Sequence, residues 1–133
     1  MSAAKTVLID NTGKFLLLTR ADHPYFGRDP DLPGGTVDNN DTHFDTAVRE
    51  IFEEIGYTIN PEDLKLIYTG TEYSLSRMPI SLYAAVLKSR PEITLSWEHS
   101  KYEWVSREEF INRSRGAVDS FMHMVAAESA KLP

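Results

Sequence analysis

One predicted helix, over residues 42–55, constrains the fold of this chain more than any other segment. Its sequence, THFDTAVREIFEEI, repeats apolar side chains at three- and four-residue steps, the spacing of a helix that packs one face onto a core. The apolar residues at this spacing are Phe44, Ala47, Val48, Ile51 and Ile55. Asp41 or Thr42 can cap the start of the helix, and Gly56 stands where a left-handed glycine ends many helices.

Three carboxylates crowd a second face of the same helix. At 100° per residue, Glu54 lies about 40° to one side of Glu50, and Glu53 lies about 60° to the other side. Like charges at this spacing cost a few tenths of a kcal/mol per pair, roughly, and a hard divalent cation such as Mg²⁺ or Mn²⁺ would relieve that cost. The alternative is a solvated acidic face on which Arg49 pairs with Glu53 across one turn.

The charge balance of the chain also favours a bound cation. The net charge is −6, from 20 acidic and 14 basic side chains, whereas proteins that bind the nucleic-acid backbone normally have the opposite balance. We therefore expect no nucleic-acid backbone binding. An acidic protein that handled phosphates would need cations between its carboxylates and its substrate. The chain has no cysteine, which excludes disulfides and thiolate metal sites and suits a reducing cytoplasm.

The remaining pattern predicts a single domain over residues 1–133. Strands are predicted at 5–10, 15–18, 64–74, 80–87 and 104–105, and further helices from a capping box at 106–109 and over about 118–130. Strands interspersed with helices favour an α/β fold with a mixed sheet and helices on its faces. The apolar stretches are too short to span a membrane, and the N-terminus does not have the pattern of a signal peptide.

Residues 35–57, GTVDNNDTHFDTAVREIFEEIGY, resemble the Nudix box. That pattern is Gly, five residues, Glu, seven residues, then Arg-Glu-apolar-x-Glu-Glu-x-Gly-apolar. The residues that fall on its fixed positions without a gap are Gly35, Arg49, Glu50, Ile51, Glu53, Glu54 and Gly56. The one departure is Asp41, which replaces the first glutamate of the box and is shorter by one methylene. The chain is thus identified as a member of the Nudix hydrolase family, MutT-like, and the resemblance covers nearly all of it.

The resemblance implies a fold and an activity. The fold would be the Nudix fold, an α/β/α sandwich with a mixed β-sheet. The activity would be metal-dependent cleavage of a phosphoanhydride bond in a nucleoside diphosphate derivative, first of all as a nucleoside triphosphate pyrophosphohydrolase. ADP-ribose and dinucleoside polyphosphates are alternative substrates, and a nucleotide sensor without turnover is an alternative of a different class. Homodimers are common among small enzymes of this type, so a homodimer is also expected.

The same resemblance assigns roles to the residues of the box. Glu53 and Glu54 would be ligands of Mg²⁺ or Mn²⁺, and Glu50 would be a ligand or a proton acceptor. The backbone carbonyl of Gly34 would be a further ligand. Arg49 would hold the glutamates in place by salt bridges.

Outside the box, the resemblance points to one more carboxylate and to two arginines. In such enzymes a further glutamate often precedes a late strand, and Glu98 is favoured as metal ligand or general base because it lies six residues before Trp104. Glu103 is the alternative. Arg20 is expected near the phosphates of the substrate and Arg77 is a weaker candidate, and each could instead be an ordinary surface arginine.

Overall fold

Seven strands form one mixed sheet within residues 2–133, the part of the chain that this computed structural model describes. The strands are β1 (Ala3–Ile9), β2 (Phe15–Arg20), β3 (Pro30–Asp31), β4 (Gly34–Thr36), β5 (Lys65–Gly70), β6 (Ile80–Val86) and β7 (His99–Val105). The helices are α1 (His43–Ile55), α2 (Arg107–Arg115) and α3 (Ser120–Ser129), with a short 3-10 turn at Pro61–Asp63. None of the described helices is long and apolar enough to cross a membrane.

The order of the strands places β1 at the centre of the sheet. The main path is β3-β2-β1-β6-β5, with β4 also paired to β1 and β7 to β2. β1 and β6 are parallel along their whole length, and the other pairs are antiparallel. β1 and β2 share only the register pair Ile9↔Phe15, because β2 continues along β7 while β4 pairs with the first residues of β1. The predicted mixed sheet is confirmed.

Helices cover both faces of this sheet. Leu8, Leu16 and Leu18 point to the face that packs against Ile51 and Ile55 of α1. Their neighbours along the strands point the other way, and the second core contains Val7, Ile9, Phe15, Leu17, Phe110 of α2 and Met122 of α3. Since successive residues of a strand alternate between faces, the two cores confirm the predicted α/β/α sandwich.

The bounds of two predicted strands differ most from the structure. The strand predicted at 64–74 ends at Gly70. The short strand predicted at 104–105 is the end of the seven-residue strand β7, whose earlier residues are mostly polar and exposed. Its backbone pairs with β2 from Lys101 to Val105, so it forms a strand without an apolar pattern that a sequence analysis could detect. α1 begins one residue after its cap, Thr42, and ends at the left-handed Gly56, as predicted.

A buried carboxylate closes the turn between β1 and β2. Asp10 is 1% exposed, and its Oδ1 accepts hydrogen bonds from the backbone N–H groups of Thr12 and Lys14 at 2.8 and 2.9 Å. Its Oδ2 accepts from the Arg90 guanidinium at 2.5 Å. Burial acts to raise the pKa of Asp10, but these hydrogen bonds outweigh it and hold the pKa well below its usual range.

Because the folded-state pKa of Asp10 is lowered, its stabilising contribution is present above the unfolded pKa and is lost as pH falls through the folded value. Asp10→Asn should lower the free energy of unfolding at pH 7 by about 2 kcal/mol. The difference from wild type should shrink below about pH 4. Urea unfolding at both pH values measures this, with Asp22→Asn in the exposed 21–28 loop as the control. Equal loss at pH 7 and pH 3 would contradict the role of the ionised carboxylate.

Candidate active site

Two glycines allow the backbone of β4 to lie against both β1 and α1. A Cβ atom on Gly34 would lie 2.3 Å from the carbonyl oxygen of Ala4, and one on Gly35 would lie 2.7 Å from Oε1 of Glu50. A side chain at Gly34 would thus overlap the backbone of β1, and a side chain at Gly35 would push the Glu50 carboxylate out of its position. Gly34 also donates its backbone N–H to Oε1 of Glu54 at 3.0 Å. The glycine pair therefore fixes the distance between the β4 backbone and the carboxylates of α1.

Glu54 is the most buried carboxylate of α1, with 2% of its surface exposed. Burial raises the pKa of Glu54 to about 8, although the hydrogen bond from Gly34 and the nearby Lys5 act in the opposite direction. The charges of Asp31 and Glu98 contribute to this increase. The helical wheel predicted a polar face for this residue, and that face is covered by β4 rather than by solvent. Burial therefore favours a protonated, neutral Glu54, or an ionised Glu54 beside a bound cation.

Glu50 and Glu53 are the other two carboxylates of the acidic face, and both are more exposed than Glu54. The Glu50 side chain is 15% exposed and the Glu53 side chain is 54% exposed. Burial raises the pKa of Glu50, and the charges of Glu53, Glu98 and Asp38 raise it further, against the lowering effect of Arg49. Glu98, from the loop before β7, thus shares an electrostatic environment with the carboxylates of α1.

Arg49 lies beside three carboxylates. Its guanidinium forms an ion pair with Asp41, and it lies 3.9 Å from Oε1 of Glu50 and 3.7 Å from Oε1 of Glu53. The hydrogen bond with Asp41 is the main reason that the pKa of Arg49 is raised. The shorter side chain at position 41 therefore still reaches the arginine. The pairing of Arg49 with Glu53, expected for a plain acidic face, coexists with these other contacts.

The structure places the two candidate distal glutamates on different sides of the sheet. Glu103 pairs with Leu17 across β7 and β2, and directly paired residues point to the same face. Leu17 belongs to the core under α2 and α3, so Glu103 faces away from α1. It pairs with Arg113 of α2 at 3.0 Å, and that hydrogen bond lowers its pKa. Of the two glutamates, Glu98 is the one whose charge acts on Glu50 and Glu54.

Arg20 lies in a buried network that the sequence analysis missed. Its Nη2 lies 3.1 Å from Asp119 and 3.4 Å from Asp31. Asp31 also accepts hydrogen bonds from Lys5 Nζ at 2.5 Å and from His99 Nε2 at 2.8 Å. Burial acts to raise the pKa of Asp31, and its three cationic or N–H-donating neighbours outweigh burial and lower it. A lysine inside the otherwise apolar pattern of β1 was the available signal, because a buried lysine needs a buried partner.

Arg77 does not join this group. It lies in the exposed loop between β5 and β6 with a left-handed backbone, φ 60°, and within residues 2–133 its side chain forms no ion pair. Arg20, by contrast, lines the same cavity as Glu98. The structure therefore brings only one of the two predicted substrate arginines near the acidic face.

The donor set fits a hard divalent cation. Its members are carboxylate oxygens with mutual repulsion and partial burial, which a cation would relieve. In the described part of the chain, no three His, Asp or Glu side chains converge as a ready-made metal cage. Mg²⁺ commonly keeps several water ligands and takes others from substrate phosphates, so it does not require such a cage before substrate binds.

Asp41→Asn should weaken metal binding without changing the fold. The substitution removes the charge that holds Arg49 in place, and loss of such a supporting contact typically costs about 10-fold or more in metal affinity. The Mg²⁺ concentration at half-maximal activity measures the effect. Asp63→Asn, on the partly exposed 3-10 turn, is the matched control. An unchanged Mg²⁺ requirement in Asp41→Asn would contradict this role.

Comparison with known proteins gives a family and a fold. A family model described as NUDIX domain matches residues 1–123. A Bacillus subtilis (strain 168) protein provisionally named an 8-oxo-dGTP diphosphatase is 41% identical over 54 residues, which make up 41% of this chain and 34% of that protein. The matched stretch is thus about a third of the length of this curated relative.

Solved structures resemble nearly the whole chain. A C. elegans Ap4A hydrolase has a TM-score of 0.74 at 23% identity, over 97% of this chain and 93% of that chain. A MutT protein from Methanosarcina mazei Go1 has a TM-score of 0.70 at 21% identity, over 99% and 96%. The NUDIX domain of Shewanella oneidensis NrtR, complexed with ADP ribose, has a TM-score of 0.72 at 18% identity, over 98% and 86%. At these identities the likeness shows a shared fold.

Proposed function

The chain belongs to the NUDIX domain family, and on that premise we propose that it is a metal-dependent hydrolase of phosphoanhydride bonds in nucleoside diphosphate derivatives. The observation that carries the proposal is the close contact of Glu50 and Glu54 with the Gly34-Gly35 backbone, with Glu53 beside them on α1 and raised pKa values for Glu50 and Glu54. Crowded, partly buried carboxylates favour the binding of a cation. A bound cation would in turn allow this acidic protein to bind phosphate groups.

Mg²⁺ or Mn²⁺ at this site would neutralise phosphate charge and lower the pKa of its bound water. Glu53, Glu54, Glu50 and the Gly34 carbonyl would hold the ion, as the box positions predict. Glu98 would hold the ion as a further ligand or take a proton from the attacking water. Arg20, fixed by Asp31 and Asp119, would bind a phosphate oxygen from the adjoining cavity.

Nucleoside triphosphates are the first substrates to test, as the resemblance to MutT-like enzymes implies, with a nucleotide and pyrophosphate as products. The C. elegans relative hydrolyses Ap4A and the NrtR domain binds ADP ribose, so both compounds belong in the same test. A nucleotide sensor without turnover is the alternative from a different class. Retention of all three helix glutamates favours catalysis, because a protein that only binds nucleotides does not need them. A cytoplasmic location and a homodimer stay predictions.

Turnover of purified protein tests the proposal. Nucleoside triphosphates, dinucleoside polyphosphates and ADP-ribose are incubated with Mg²⁺, with Mn²⁺ and with a chelator, and the products are separated and identified. The proposal predicts cleavage between two phosphoryl groups of at least one substrate, and loss of that cleavage with the chelator. Binding without release of any phosphorylated product would favour the sensor.

Glu53→Gln should lose at least about 100-fold in kcat while the protein stays folded, because it removes a charge that would hold the metal. Its half-exposed side chain leaves the core untouched. Thermal unfolding and circular dichroism check the fold, and Glu92→Gln on an exposed loop is the control. Wild-type turnover in Glu53→Gln would overturn the assigned role.

Replacement of each distal glutamate by glutamine distinguishes the role of Glu98 from that of Glu103. Glu98→Gln should lower kcat about 100-fold, the size expected for a positioned general base or ligand. Glu103→Gln should leave kcat within about 3-fold of wild type and should mainly weaken the ion pair with Arg113, a loss of about 1 kcal/mol of stability or less. Steady-state kinetics and urea unfolding of both variants test this, and the reverse pattern would contradict it.

A further inference from the structure

The loop between β2 and β3, residues 21–28, folds back on the side chain of one histidine. The backbone N–H of His23 donates to the carbonyl of Gly27 at 2.7 Å, and the N–H of Gly27 donates to the carbonyl of His23 at 2.8 Å. Between these two residues, Nδ1 of His23 accepts hydrogen bonds from the N–H groups of Tyr25 at 3.0 Å and Phe26 at 3.1 Å. A single side-chain atom therefore holds both N–H groups at the tip of the loop.

The end of the loop is fixed without His23. The N–H of Arg20 donates to the carbonyl of Asp29 at 3.0 Å, and this bond closes the base of the loop. The buried carboxylate of Asp29 accepts hydrogen bonds from the N–H groups of Val118 and Asp119 at 2.9 and 3.0 Å, just before α3. Loss of the His23 side chain should therefore release the tip of the loop and leave the strands and α3 in place.

The closed loop places an aromatic ring beside Arg20. The Phe26 ring stacks on the His23 imidazole, with 4.9 Å between the centroids and 26° between the planes. The Cζ atom of Arg20 lies over the same ring, 4.8 Å from its centroid. The Arg20 side chain is only 14% exposed, and an arginine shielded from water gains more from an aromatic ring than an exposed one does. The position of the guanidinium thus depends on Phe26 as well as on Asp31 and Asp119.

The two bonds at the tip of the loop require an unprotonated Nδ1. Backbone N–H groups can only donate, so Nδ1 accepts and the neutral ring carries its proton on Nε2. A protonated imidazole has donors on both nitrogens and would lose both bonds, and histidine is the side chain that ordinarily changes charge between about pH 5 and 8. The charged and titratable side chains of the loop and of the cavity that it lines are Arg20, Asp22, Tyr25, Arg28, Glu98 and His99.

We propose that His23 is a positioning residue for Arg20. Its Nδ1 closes the loop, the closed loop places Phe26, and Phe26 keeps the guanidinium in the position from which it binds a substrate phosphate. This inference rests on the proposed function, which assigns the phosphate contact to Arg20. Since His23 acts through the arginine and not on the reacting atoms, its loss should raise KM and leave kcat nearly unchanged.

Replacement of His23 by alanine and by asparagine tests the hydrogen bonds of the loop. The Oδ1 atom of asparagine lies as many bonds from the backbone as Nδ1 of histidine, and asparagine often accepts from nearby N–H groups in this way. In His23→Ala, the amide hydrogens of Tyr25 and Phe26 should exchange at least about 10-fold faster than in wild type. His23→Asn should stay within about 3-fold of wild type. NMR measures the exchange, and Tyr25→Ala is the control, because it removes an exposed ring and keeps the N–H.

The effect on Arg20 is measured by calorimetric binding of inorganic pyrophosphate in the presence of Mg²⁺. At pH 7.5, His23→Ala should bind about 5-fold more weakly than wild type, since the ring is no longer held beside Arg20. Phe26→Leu, which keeps both loop bonds, should weaken binding by a similar factor, and His23→Asn should not. At pH 5.5, wild type should bind more weakly than His23→Asn, because asparagine does not titrate. With a nucleoside triphosphate as substrate, His23→Ala should raise KM about 5-fold and leave kcat within about 2-fold.

The possible outcomes separate this inference from the proposed function. Wild-type amide exchange or wild-type pyrophosphate binding in His23→Ala would overturn the positioning role, and so would a His23→Asn variant that behaves like His23→Ala. A wild type that binds no pyrophosphate would overturn the phosphate contact of Arg20 and this inference with it. If exchange and binding follow the prediction but no nucleotide is hydrolysed, the proposed hydrolase is overturned and the positioning of Arg20 by His23 stands.

Discussion

The close approach between the β4 backbone and the carboxylates of α1 is the contact on which the rest of the site depends. Two glycines permit it, since any side chain at Gly34 would overlap the β1 backbone and any at Gly35 would displace the Glu50 carboxylate. The approach removes water from Glu54 and most of it from Glu50, which raises both pKa values. The fold thus holds carboxylates in a state that costs free energy until a positive charge arrives. A bound metal ion would offset that cost.

A second cluster of charged side chains, centred on Asp31, lies near this contact. Asp31 lies within 3.4 Å of Lys5, Arg20 and His99. These contacts connect β1, β2, β3 and β7. A bulge in the pairing of β2 with β7 places Arg20 opposite His99, and bulges often aim side chains at functional sites. The result places a fixed arginine, Arg20, and the Glu98 loop on the two walls of one cavity.

The sequence predicted what depends on local pattern and missed what depends on pairing across the chain. The α1 helix and its Gly56 end follow from periodicity and capping and are confirmed, and of the two predicted caps, Asp41 and Thr42, the structure has Thr42. The polar strand β7 was largely missed, because its pairing with β2 rather than its own residues makes it a strand. For the same reason the sequence left Glu98 and Glu103 open, whereas the register of β7 places Glu103 on the far face. The sequence also did not predict the burial of Glu54, because that burial comes from β4, a separate segment of the chain.

The cation site that we propose at the crowded carboxylates of α1 can be tested directly. Titration of the protein with Mn²⁺, followed by the electron paramagnetic resonance signal of the free ion, tests it without any substrate. Wild type should remove Mn²⁺ from solution in a saturable manner. Glu54→Gln, which keeps the shape and the acceptor for Gly34, should bind at least about 10-fold more weakly. Identical Mn²⁺ binding by wild type and Glu54→Gln, or none by wild type, would contradict the account.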